Sequence, residues 1–330
     1  MKFRKLGHSD LELSAVTFGA WAAGGWLWGG TERSKAVKAI QASYDIGVTS
    51  IDTAPVYGQG TSEIIVGEAI KDIPRDKVQI LTKYGLDWES TNGEYFFSSK
   101  MNDGTAIDIY RNSSKERIIK ECEDSLRNLG TDYIDLYQIH WSDPTTPIQE
   151  TMEAVDRLVK EGKVRLAGVC NYSKEEMIEA EKYITLVSNQ VKYSMLSRTI
   201  EDELVPHTIE KNKAILAYSP LERGLLTGKI KTDTKFAEGD NRADSKFYSS
   251  ENIIKINNFL NEIKPIANDH NLSITQLVIA WTLAQPGITI ALVGARDAEQ
   301  STHNATAGEV ELSEDEINLI NRKIALLNLD

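Results

Sequence analysis

The chain has 330 residues, 41% hydrophobic and 26% charged, enough to bury a full α/β core and with no compositional lean toward disorder. Its 37 lysines and arginines against 49 aspartates and glutamates leave a net charge of -12, which argues against nonspecific attraction to nucleic acid or to an anionic membrane. Cys122 and Cys170 are too few for a disulfide framework and have no metal-type spacing, so a reducing compartment is expected.

Met1 to Asp10 is polar and lacks the apolar core of a secretory signal, and no later stretch approaches the roughly 20 apolar residues of a membrane span. A cytoplasmic location is the expectation. Short apolar pieces flank Gly7-His8-Ser9-Asp10 and predict a hairpin able to plug the bottom of a barrel. Apolar, β-branched runs that read as buried strands then recur at Ala15 to Gly19, Thr49 to Thr53, Val78 to Lys83, Tyr133 to His140, Val164 to Cys170, Thr185 to Gln190, Ala214 to Ser219 and Thr289 to Val293.

Helical patterns with start signals occupy most of the gaps. Capping boxes are expected at Ser113 with Glu116, Thr146 with Gln149, Ser173 with Glu176, Ser273 with Gln276 and Ser313 with Glu316, with Pro147 at the first helical position. Gly47, Gly130 and Gly162 stand where left-handed caps are wanted. Parallel strands need long crossovers, and eight β-α units favour a closed (β/α)8 TIM barrel over an open sheet, as a single domain spanning residues 1–330. Two connections, Tyr84 to Asn112 and Pro220 to about Asn252, are too long for plain crossovers and predict functional loops at the C-terminal face.

In such a barrel, polar residues at strand C-termini converge on one face. Asp52, Lys83 and His140 end the second, third and fourth strands, and Tyr57 follows the second. A buried aspartate and lysine on adjacent strands would satisfy each other, a pairing open to two readings, a structural ion pair or a functional one. The functional one is proton transfer coupled to hydride transfer. A free tyrosine has a pKa near ~10 and needs a positive neighbour to ionise near neutrality, which Lys83 could supply while Asp52 holds Lys83. His140 could then hydrogen-bond the carbonyl oxygen as charge develops there and Tyr57 delivers the proton.

Phe18-Gly19-Ala20-Trp21, Gly47-Val48-Thr49-Ser50-Ile51-Asp52-Thr53-Ala54-Pro55-Val56-Tyr57-Gly58, Ser62-Glu63 with Val66-Gly67, and Asp132-Tyr133-Ile134-Asp135-Leu136-Tyr137-Gln138-Ile139-His140 resemble the signatures of the aldo-keto reductases, most closely the bacterial general-stress type. The resemblance runs to about Leu319 and implies the same tetrad, with Tyr57 as general acid supported by Asp52, Lys83 and His140. It also implies an extended nicotinamide cofactor across the C-terminal face, although no G-x-G-x-x-G fingerprint opens a helix after a strand.

Carried over position by position, the resemblance places Gly19, Ala20, Trp21 and Asp52 beside the cofactor, Tyr218 stacked on the nicotinamide, and Asn171 and Gln190 on its carboxamide. Cys170 stands where a serine ligand is common and is read as a packing residue. Ser219, Pro220, Leu221, Gly224, Leu225, Gly228 and Lys229 would follow the pyrophosphate. Gly294, Arg296, Gln300 and Asn304 would hold the adenosine end. Arg296 could pair with a 2′-phosphate, favouring NADPH, while the carboxylate of Asp297 beside it would oppose one and leaves NAD possible.

Trp21, Trp26, Trp28, Trp88, Tyr95, Phe96, Phe97 and Trp141 cluster after strands one, three and four and suggest an apolar mouth for a small carbonyl substrate. Within it, Trp21, Trp28, Tyr57, Trp88, His140 and Trp141 are the expected substrate contacts. Only His140 of five histidines ends a strand, so no metal site is expected. A noncatalytic, nicotinamide-binding regulatory subunit of the same fold is the alternative reading. No assembly signal stands out, so a monomer or weak homo-oligomer is expected.

Overall fold

The computed structural model describes residues 1–28, 32–236, 240, 242 and 245–329. The first two strands, β1 (Phe3–Lys5) and β2 (Glu12–Ser14), pair antiparallel as the expected hairpin. Leu6, Leu11 and Leu13 of this hairpin pack against Leu81, Leu136, Val187, Leu216 and Ile290, so its apolar side closes one end of the barrel interior. Each fully buried leucine contributes roughly 1.5–3 kcal/mol. Gly7 turns the hairpin with φ +59°, and a Cβ there would stand 2.7 Å from the Val187 carbonyl oxygen, so both conformation and closeness demand glycine.

The barrel strands are β3 (Val16–Gly19), β4 (Ser50–Asp52), β5 (Gln79–Tyr84), β9 (Ile134–Ile139), β10 (Val164–Cys170), β11 (Leu186–Lys192), β12 (Ala214–Tyr218) and β13 (Ile288–Val293). Each pairs parallel with its sequence neighbours, and β13 returns to β3 to close the barrel. All eight lie within two residues of the runs read from the sequence. Parallel strands covered on one side by helices and on the other by barrel interior must be apolar throughout, and that continuous signal is what the sequence carries.

The helices are α1 (Arg33–Asp45), α2 (Thr61–Ile70), α3 (Lys115–Leu129), α4 (Ile148–Lys160), α5 (Lys174–Ala180), α6 (Leu204–Glu210), α7 (Ser250–Asp269), α8 (Ile274–Ala284), α9 (Ala298–Ala305) and α10 (Glu314–Ala325). Reciprocal capping boxes form at Ser173, Ser273 and Ser313. Two expected boxes do not. Helix α3 starts one residue later, from Ser114, because the Ser113 N–H donates to Asp143 and Ser114 Oγ donates to Asn112. Pro147 is the N-cap of α4 rather than its first helical residue, because Thr146 Oγ1 donates to Asp143 instead of capping. One buried carboxylate thus resets both starts.

The Tyr84 to Asn112 connection is not a bare loop. It folds into a three-stranded antiparallel sheet of β6 (Leu86–Asp87), β7 (Glu94–Lys100) and β8 (Ala106–Arg111), with β8 central. A register shift between Tyr95 and Phe97 lets the adjacent Phe96 and Phe97 both reach the same cleft, which regular alternation forbids. In the second long connection, residues 237–239, 241, 243 and 244 lie outside the described residues. Among the described residues no helix is long and apolar enough to cross a membrane.

Candidate active site

Strand register delivers the polar residues to one level. Gly19 pairs with Asp52, Asp52 with Leu81, and Lys83 with Gln138, while the His140 N–H donates to the Tyr84 carbonyl. Lys83 and Asp52 are almost wholly buried, and Lys83 Nζ donates to Asp52 Oδ1 at 2.6 Å and to the Thr53 carbonyl at 2.9 Å. The other oxygen of Asp52 accepts from Gln190 Nε2 at 2.7 Å and from Gln138 Nε2 at 3.5 Å. The carboxylate is therefore hydrogen-bonded on both oxygens, as a buried charge must be.

Tyr57 is set by the turn that follows it. Gly58, Gln59 and Gly60 are successively left-handed, with φ of 69°, 49° and 90°. This coil reverses the chain so that the Tyr57 ring lies under Lys83, whose Nζ stands 5.0 Å from the ring centroid. The opposite wall leaves no spare room: a Cβ on Gly24 would stand 2.5 Å from the Tyr57 carbonyl oxygen. His140 meets the Tyr57 ring edge-on at 5.7 Å, and Trp21 stacks on it at 6.0 Å.

Burial pushes the Tyr57 phenol up to about 12, against the pull of the Lys83 charge, so the hydroxyl is protonated throughout the neutral range. Burial, the largest influence, opposes the Lys83 charge, but the neighbouring groups together, Asp52 first among them, hold the ammonium above its ordinary pKa. Burial, with the Lys83 charge, holds the imidazole of His140 well below its usual value, so His140 is neutral. A protonated phenol, a fixed cation and a neutral imidazole thus share one pocket. The Cys170 thiol lies at its wall, fully buried and pushed up by burial, which keeps it unreactive.

The pocket opens into a cleft of about 820 Å³ across the C-terminal face. Of the sequence-predicted residues, Gly19, Trp21, Trp28, Asp52, Tyr57, His140, Trp141, Cys170, Asn171, Gln190, Tyr218, Ser219, Pro220, Leu221, Gly224, Lys229, Gly294, Arg296, Gln300 and Asn304 line it. Ala20, Lys83, Leu225, Gly228 and Trp88 do not. Lys83 acts from beneath, Ala20 and Leu225 are packed in the core, and Trp88 faces the Arg117 guanidinium. The Gln190 side chain is engaged with Asp52, whereas Asn171 accepts from the Tyr218 hydroxyl at 3.0 Å and donates to the His140 carbonyl. Asn171 and Ser219 are left-handed non-glycine residues at the ends of β10 and β12, the strands on either side of β11, a strain characteristic of functional sites.

The sequence reading missed several cleft residues. Arg223 and Arg242 reach it from the second long connection, Arg223 over the Trp21 ring and Arg242 over the Trp28 ring. Asp240 pairs with Arg242 at 2.5 Å, and Arg296 also stands over Trp28. Gln138 does not line the cleft but reaches Asp52 from β9, and as a strand-end glutamine it was a readable signal. Nothing local marks Arg223 and Arg242, since only the path of the chain brings them in.

The cleft fits a dinucleotide. Arg223, Lys229, Arg242 and Arg296 line it on a chain of net charge -12, beside the carboxylates of Asp297 and Glu299 at the N-terminus of α9, and Tyr218 also lines it. Among the described residues no group of three or more His, Cys, Asp or Glu is placed to hold a metal.

A sequence profile of the Aldo/keto reductase family matches residues 15–325. Aldo-keto reductase YhdN of Bacillus subtilis (strain 168) is 37% identical over 302 residues, covering 91% of this chain and 86% of that protein. The NADH-specific methylglyoxal reductase of Escherichia coli (strain K12) is 37% identical over 325 residues, covering 97% of each. Among solved structures, the glycerol dehydrogenase AKR11B4 from Gluconobacter oxydans superposes with a TM-score of 0.87 at 35% identity, covering 98% of this chain and 95% of that one.

Proposed function

Because the chain belongs to the aldo/keto reductase family and is an NAD(P)H-dependent oxidoreductase, we propose that its barrel reduces aldehydes and ketones to alcohols with Tyr57 as the general acid. The observation that carries the reading is the Tyr57 phenol held between the Lys83 ammonium and the neutral His140 at the floor of the cleft. A bound nicotinamide supplies the hydride. Tyr57 hands its proton to the carbonyl oxygen, and Lys83 stabilises the phenolate left behind. Asp52 keeps Lys83 charged and fixed, and His140, neutral, directs the carbonyl oxygen toward the phenol. Trp21, Trp141, Phe96 and Phe97 exclude water and favour apolar substituents on the substrate.

The charge at the adenosine end moves the expected preference from NADPH, read from Arg296, toward NADH. Asp297 caps α9, its carboxylate accepting from the Gln300 N–H at 2.8 Å, and thus occupies a helix end that could otherwise receive a 2′-phosphate. Glu299 adds a second negative charge in the first turn, while Arg296 is turned toward Trp28. The NADH specificity of the Escherichia coli relative supports the same choice.

Titration with NADH and NADPH by cofactor fluorescence, followed by turnover with methylglyoxal and benzaldehyde, tests the reading. Tyr57→Phe should keep cofactor affinity and lose turnover by about 100-fold or more. Undiminished turnover would remove Tyr57 as the acid. Binding without turnover in the parent protein on a broad carbonyl panel would instead favour a nicotinamide-binding regulatory subunit.

A further inference from the structure

Ser62-Glu63 and Val66-Gly67 form a motif that the tetrad does not use. Ser62 and Glu63 open α2 and are both fully buried. Ser62 Oγ donates to the Ala20 carbonyl at 2.9 Å, and since its one proton is so placed, the Thr53 hydroxyl at 2.8 Å is the donor to it. The Ser62 N–H donates to the Tyr57 carbonyl at 3.1 Å. Glu63 accepts from the Thr82 hydroxyl at 2.8 Å and from Asn128 Nδ2 at 3.1 Å. Burial raises its pKa, and the bonds it accepts are those of neutral donors.

Three of these partners adjoin a residue of the pocket wall or the Lys83 that underlies it. Ala20 precedes Trp21, Thr53 follows Asp52, and Thr82 precedes Lys83. Gly67, one turn further along α2, completes the device: a Cβ there would stand 2.8 Å from the carbonyl oxygens of Asn128 and Leu129. Only glycine lets α2 approach the end of α3 closely enough for Asn128 to reach Glu63.

We propose that Ser62 and Glu63 are positioning residues for proton delivery, tying the ends of β3, β4 and β5 and the Tyr57 turn into one unit that aligns the Tyr57 hydroxyl with Lys83. The proposal rests on Tyr57 being the general acid. A buried carboxylate serves here because its two oxygens reach two elements at once, and the fully satisfied network resists the sub-ångström slip to which proton transfer is sensitive.

The test uses Ser62→Ala, Glu63→Gln and the isosteric Thr82→Val, which removes a single donor and keeps the shape should the first two fail to fold. In each folded variant kcat should fall about 10- to 100-fold, with carbonyl KM and NADH affinity within about twofold of the parent. In protein labelled with fluorotyrosine, the fluorine resonance of Tyr57, assigned by its loss in Tyr57→Phe, should shift in all three. A lowered Tm with unchanged kcat and an unmoved resonance would reduce the motif to a fold-stabilising one and overturn the proposal. Retained activity in Tyr57→Phe would instead overturn the general-acid reading on which it rests.

Discussion

Replacing Lys83 by methionine separates what the buried ion pair does for the fold from what it does for chemistry. The pair spans 2.6 Å, with side-chain exposures of 1% and 5%, so the single substitution leaves the Asp52 carboxylate buried with only Gln190 and Gln138 to solvate it. Breaking a buried pair on one side costs about 3–5 kcal/mol. With about 2.1 cal/mol/K of unfolding entropy per residue over 330 residues, that is a fall in Tm of about 4–7 °C.

Removing both charges, as Asp52→Asn with Lys83→Met, takes away the stranded carboxylate as well and should restore most of that Tm. Catalysis should not follow. Burial already holds the Tyr57 phenol at about 12 with Lys83 pulling it down, so without the ammonium it becomes a still weaker acid. Each further unit is worth about a factor of ten, and kcat should remain about 100-fold or more below the parent in single and double variants alike. Thermal melts and cofactor oxidation on the same samples give both readouts. A double variant that melts like the parent and also turns over within about tenfold of it would refute the reasoning and leave the pair a structural one.

If Asp297 opposes a 2′-phosphate as proposed, Asp297→Ser should raise kcat/KM with NADPH relative to NADH by about tenfold, since serine can still cap α9. Steady-state kinetics with both cofactors would read this, and an unchanged ratio would show that Asp297 does not face that group. Phe97→Ala, which removes the ring stacked on Trp26, should raise KM for benzaldehyde several-fold more than for methylglyoxal. Equal effects on the two would place Phe97 outside the substrate path.

Stability should also respond to pH in opposite ways at two buried groups. Burial raises the Glu121 carboxyl to about 7, so its contribution is fully present below pH 4.5 and is lost as pH rises through about 7. The depressed pKa of His140 has the reverse sign, costing stability as pH falls below 6.5, where the unfolded chain takes up a proton that the folded one refuses. Denaturant titrations of Glu121→Gln across this window should therefore lose the first dependence and expose the second. A pH profile identical to the parent's would show that Glu121 does not titrate there.

The sequence alone determined the barrel, because eight apolar runs separated by capped helices leave few other ways to satisfy parallel strands. It also pointed to the convergence of Asp52, Lys83 and His140, because they are polar residues at strand ends, where desolvation makes them costly unless they meet. Tyr57 was legible from its motif rather than from its chemistry, since a tyrosine in a loop usually packs. Helix starts were legible where serine and its partner kept their reciprocal bonds, and were displaced where Asp143 drew the same groups away.

The tertiary structure decided what depends on distant chain segments meeting. The sheet between Tyr84 and Asn112 was hidden because its register shift breaks the two-residue alternation that marks a strand. Arg223 and Arg242 enter the cleft only through the course of the long connection after β12, and Gln190 serves Asp52 because the closed barrel sets β11 across from β4. Trp88 and Leu225 look from sequence like lining of the site, yet Trp88 packs under Arg117 on the apolar cluster that carries the cleft aromatics without itself lining the cleft, and Leu225 lies within the core. Residue type and strand period are local properties and can be read in order along a chain. Which of two nearby donors a buried carboxylate engages depends on the geometry of the whole barrel.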